Sequence, residues 1–71
     1  MKELTVNHWY KVSLKANMRF TGQLTAKKSR TCMMRIGLDD KLIFGTDEIK
    51  SIVEVSGRDI ETRQNGRYYV I

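Results

Sequence analysis

Apolar and polar residues alternate with a period of two along most of the chain. From Trp9 to Lys15, Tyr10, Val12 and Leu14 alternate with Lys11, Ser13 and Lys15, which predicts a half-buried strand with a basic outer face. Ala16-Asn17 reads as a tight turn. Met18 to Ala26 sets Met18, Phe20, Gly22 and Leu24 on one face and Arg19, Thr21, Gln23 and Thr25 on the other. Gly22, inside this strand, predicts a sharp bend or a close backbone contact.

Lys27-Lys28-Ser29-Arg30 follows as a polar, basic loop. Thr31 to Ile36 alternates again, with Cys32, Met34 and Ile36 inward and Thr31, Met33 and Arg35 outward. Gly37 to Asp40 closes a second hairpin, and Lys41 to Phe44 is a short strand that stops at Gly45. Thr46-Asp47-Glu48 reads as one helical turn, with Thr46 or Asp47 accepting from nearby backbone donors. Ile49 to Val55 is a fifth strand, broken by Ser56-Gly57. Asp59–Arg63 and Arg67–Ile71 flank Gln64-Asn65-Gly66, and Asn65-Gly66 predicts a type I′ hairpin turn because both residues tolerate positive φ. No stretch longer than one turn has a helical period. So many short strands in so short a chain predict an all-β fold: one bent sheet closed into a small five-stranded barrel over about residues 8–55. A C-terminal hairpin over about 59–71 is added to it, and residues 1–71 make a single domain.

Composition removes several classes of function. At 71 residues, 41% hydrophobic and 30% charged, the chain suits a small globular domain with a thin core. No apolar run approaches the ~20 residues of a membrane span, and MKELTVNHWYKV lacks an apolar signal core. One cysteine, Cys32, and one histidine, His8, allow no internal disulfide and no Cys/His metal set. A reduced, cytoplasmic setting is expected, with no cofactor and no metal.

Charge changes the picture most. The net charge is +5, unevenly spread: residues 1–38 hold eight bases against Glu3 alone, and residues 39–71 hold five bases against seven acids. A basic half of this kind points toward a polyanion, most often nucleic acid.

The segment Val12 to Val55 resembles the Sm-like family, its bacterial Hfq form in particular. Val12-Ser13-Leu14, Phe20-Thr21-Gly22-Gln23-Leu24, Ile43-Phe44-Gly45 and Ile49-Lys50-Ser51-Ile52-Val53 carry the resemblance. It implies an SH3-like or Sm-like barrel with a strongly bent second strand, RNA binding and subunits that pair edge to edge through Lys41–Phe44 and Ile49–Val55. The chain departs from that pattern at three places. Met1 to Val6 is too short for the family's N-terminal helix, and Lys28 falls near the place of a family acidic residue. Gly45-Thr46-Asp47 stands where Hfq has its RNA-contacting tyrosine-lysine-histidine run.

Lys27, Lys28 and Arg30 at a hairpin tip are placed to neutralise phosphates, and Lys11, Lys15, Arg19 and Arg35 extend them into a track along outward strand positions. Trp9, out of phase with Tyr10, is the candidate for stacking a base. Met33 and Tyr68 are the candidates for a protein interface, with Met18 and Met34 assigned to the core. Cys32 reads as a buried small hydrophobe without a base to activate it. Asp39-Asp40 and Asp47-Glu48 sit where turns favour acids, so no catalytic residue is assigned. The expectation is a non-enzymatic regulator that binds RNA or single-stranded nucleic acid, with homo-oligomer formation open. The alternative is a phage- or mobile-element-type interaction module docking on a host protein. Interleaved rings and bases favour the first; an apolar patch of Met33, Trp9 and Tyr68 away from the bases favours the second.

Overall fold

The computed structural model describes residues 3–71. Seven strands follow in order: β1 (Trp9–Leu14), β2 (Arg19–Lys28), β3 (Thr31–Arg35), β4 (Lys41–Gly45), β5 (Ile49–Val55), β6 (Ile60–Thr62) and β7 (Tyr68–Val70). Single 3-10 turns, Thr46–Glu48 and Gly57–Asp59, link β4 to β5 and β5 to β6. The first five strands form one antiparallel sheet in the order β4-β3-β2-β1-β5, and β6 pairs with β7 as a separate hairpin. Among the described residues no helix is long and apolar enough to cross a membrane.

The inner face is the one that alternation marks. Tyr10, Val12, Leu14, Leu24, Cys32 and Met34 are all buried there, and Phe44 closes over them with Phe20 edge to face at 5.4 Å. Burying this apolar area drives the folding of so small a chain. Leu4 joins the same core from the N-terminal segment. That segment is tied down by the Asn7 amide donating to the Leu24 carbonyl and the Thr5 amide donating to the Tyr10 hydroxyl.

The sheet is not closed into a barrel. β4 pairs only with β3 and β5 only with β1, so each keeps one open edge. The two strands leave the Thr46–Glu48 turn toward opposite margins of the sheet, where Ile43 and Val53 stay 61% and 58% exposed. Met18, expected in the core, is 43% exposed because it precedes β2 and its carbonyl closes the β1–β2 loop.

Three hairpin tips use positive φ. In Lys15-Ala16-Asn17 the Asn17 amide donates to the Leu14 carbonyl and the Leu14 amide to the Met18 carbonyl, with Asn17 at φ +62°. Gln64-Asn65-Gly66 repeats this geometry between Arg63 and Arg67, with Gly66 at +85°. The expected type I′ turn is therefore a three-residue loop whose last residue alone is left-handed. Ser29 carries the positive φ of the β2–β3 tip, at +55°. In the Thr46–Glu48 turn it is Glu48, and not Thr46 or Asp47, whose carboxylate accepts from the Gly45 amide at 2.6 Å.

Candidate functional site

The outer face of the sheet is not left bare. The C-terminal hairpin folds back and bonds to the segment after β3: the Tyr68 amide donates to the Ile36 carbonyl and the Leu38 amide to the Gly66 carbonyl, at 3.1 and 2.9 Å. Gly37 opposite Arg67 completes this short antiparallel bridge. Approach is so close that a Cβ on Gly37 would stand 2.7 Å from the Gly66 carbonyl oxygen. Arg67 donates to the Asp40 carboxylate at 3.2 Å, and the Trp9 and Tyr68 rings meet edge to face at 5.0 Å.

Between the hairpin and the outer face of β1, β2 and β5 lies an open cleft of about 640 Å³. Among the described residues its bases are Lys11, Arg19, Lys50, Arg63 and Arg67, and no carboxylate lines it. Ser13, Thr21 and Ser51 line it from the sheet, and Tyr68 and Tyr69 line it from β7, where their rings lie on opposite faces of the strand. Cross-strand pairing explains the convergence. Lys11 stands opposite Thr21 and Val53, and Ser13 opposite Arg19 and Ser51, so one face carries them all. Lys50 arrives by a bulge: Ser13 pairs with Ser51 and Leu14 with Ile49, which leaves Lys50 unpaired and re-aimed.

Rings and bases interleave here. The Arg63 guanidinium lies over the Tyr69 ring at 4.3 Å, and that of Arg35 over Tyr68 at 5.7 Å. The Tyr69 hydroxyl donates to Glu61 at 3.0 Å. That bond and the carboxylate's charge push its pKa above the usual tyrosine value, against the opposing pull of Arg63.

The other expected site residues fall elsewhere. Lys27, Lys28 and Arg30 occupy the tip at the far end of β2 from Arg19, outside the cleft. Lys15 sits in the β1–β2 loop and not on a strand. Trp9 is half-buried, its indole held between Tyr68 and Gly57, so it is not a free stacking face. Tyr68 belongs with the bases, whereas Met33 pairs across with exposed Ile43 at the other side of the sheet. Cys32 is fully buried, and burial raises its thiol pKa despite the nearby charge of Lys27. Among the described residues no group of three or more His, Cys, Asp or Glu stands together to hold a metal.

Lys50, Arg63, Arg67 and Tyr69 were not singled out from the sequence. A signal existed for the last three: two arginines bracket the Asn65-Gly66 tip, and the run Tyr68-Tyr69-Val70 puts an aromatic on each face of one strand. No known family model, curated protein or solved structure matches the chain.

Proposed function

We propose that the chain is a non-enzymatic binder of single-stranded nucleic acid, RNA foremost, acting as a regulator by occupying its target. The observation that carries the reading is the cleft, which five cations and the β7 tyrosines line with, among the described residues, no carboxylate. Cations neutralise phosphates and release counterions, and rings stack bases without regard to sequence. The basic tip Lys27-Lys28-Ser29-Arg30 adds a second phosphate contact at the far end of β2.

The test is anisotropy of labelled single-stranded RNA, single-stranded DNA and duplex DNA at two salt concentrations, with the protein's mass followed by light scattering. Single strands should bind in the micromolar range or tighter, with a steep loss in salt. Changing Lys11, Arg19 and Lys50 together to alanine should cost about tenfold or more and lower the salt slope by roughly 2, about 0.7 for each phosphate contact on a single strand. The corresponding triple change at Lys27, Lys28 and Arg30 should cost less. Undiminished binding by the cleft variant removes the cleft. A second reading, docking on a host protein, draws on the pairing of half-buried Met33 with exposed Ile43. It gains if no nucleic acid binds at low salt.

A further inference from the structure

The cleft's charge density bears on which part of a strand it takes, an inference that rests on the reading above. A volume of about 640 Å³ is that of a site for one small ligand, with room for a nucleotide or two. The interior of a single strand brings one negative charge per nucleotide. Five cations around so small a space, with no carboxylate among the lining residues, outnumber what such a stretch supplies. Two of the five are partly engaged, Arg67 with Asp40 and Arg63 with the Tyr69 ring. Lys11, Arg19 and Lys50 make no salt bridge among the described residues.

The lining adds a second observation. Ser13, Thr21 and Ser51 line the cleft on the sheet face that carries Lys11 and Arg19, Ser13 opposite Arg19 and Thr21 opposite Lys11. Neutral donors interleaved with ammonium and guanidinium groups suit an oxygen-dense anion better than isolated phosphates spaced along a backbone. Beside them the Tyr69 face, already covered by a planar guanidinium at 4.3 Å, is a surface on which a planar base can take the same place.

We infer that the cleft takes the polyphosphate group of a nucleotide, with its base against Tyr69, and that the source is the triphosphorylated end of an RNA strand. Such an end concentrates several charges within the span of one nucleotide, which is the density the cleft presents. A free nucleoside triphosphate offers the same chemistry.

Anisotropy on the full chain distinguishes the sources. The probes are an oligoribonucleotide of about ten residues with a terminal triphosphate, the same strand with a terminal hydroxyl, and unlabelled ATP as competitor. The triphosphorylated strand should bind about tenfold tighter than the hydroxyl strand. ATP should displace it only at higher concentration. Arg19→Ala and Lys50→Ala, each checked for an unchanged circular dichroism spectrum, should bring the ratio of the two strands toward one. Equal affinity of the two strands overturns the inference and leaves the single-strand reading standing. ATP as effective as the triphosphorylated strand keeps the polyphosphate site and removes the strand as its source. Failure of every probe to bind overturns both.

Discussion

Ser29 holds the β2–β3 tip at φ +55°, a conformation in which its Cβ crowds the following carbonyl. Glycine has no such penalty, though it gives the unfolded chain more freedom to lose. Strain relief of about 1–2 kcal/mol exceeds that loss of roughly 0.5–1 kcal/mol, so Ser29→Gly should stabilise by about 0.5–1 kcal/mol. In a domain this small, thermal denaturation should show a midpoint higher by about 2–8 °C. Tyr69 makes a prediction of opposite sense in pH. Its folded pKa lies above its unfolded one, because its hydroxyl donates to Glu61 and the carboxylate opposes ionisation. The bond therefore contributes stability throughout the range below the ordinary tyrosine value of about 10, and that contribution is lost as pH rises through the raised value. Ultraviolet titration should find Tyr69 ionising late, and Glu61→Gln should bring it back toward the ordinary value. If Tyr69 titrates identically with and without the carboxylate, the bond is absent in solution.

At the scale of elements, local pattern and distant pairing contribute differently. Alternation correctly orients β1 and β3, since Tyr10, Val12, Leu14, Cys32 and Met34 are all buried. It also sets Lys11, Arg19 and Arg35 on the outer face. It fails at bulges. Counting by twos from Ile52 points Lys50 into the core, and only the extra residue opposite Ser13/Leu14 turns it toward the cleft. Thr25 is a second such residue in β2, and with Gly22 it accounts for that strand's bend. A Cβ on Gly22 would strike the Arg35 carbonyl oxygen. The docking of the hairpin was not legible at all. It joins residues 36–38 to residues 66–68, a pairing for which no local composition signals. Gly37 is its weak point. Gly37→Ala drives a Cβ against backbone that cannot rotate away, so the hairpin must shift. The expected cost is about 1–3 kcal/mol of stability, with weakened nucleic-acid binding and a retained strand signal in circular dichroism. Amide exchange should become fast over β6 and β7 while β1 to β3 stay protected.

For the molecule as a whole, net charge and assembly set the behaviour. Clustered cations repel one another in the free chain and attract a polyanion in the complex, so salt should act on the two with opposite sign. Raising ionic strength from low to moderate should raise the thermal midpoint of the free protein by about 2–4 °C, from roughly 0.5 kcal/mol of relieved repulsion. The same change should weaken nucleic-acid binding severalfold or more. A fall of both quantities together would mean that the cations are already compensated. Leu4 was not foreseen in the core, because its contribution depends on a segment held by non-local bonds to Leu24, Gln23 and Tyr10. Barrel closure failed for a related reason. Apolar positions on β4 and β5 are compatible with a closed sheet, yet they cannot say whether two edge strands meet.

The placement of Trp9 has a practical consequence. It is the chain's one tryptophan, and its ring lies at the seam where β7 meets β1, in an edge-to-face pair with Tyr68 and next to Gly57. The molecule thus carries its own optical gauge at the joint between sheet and hairpin. Emission wavelength, quenching by iodide and energy transfer from the tyrosines all read whether that joint is shut, in unlabelled protein and on the time scale of mixing.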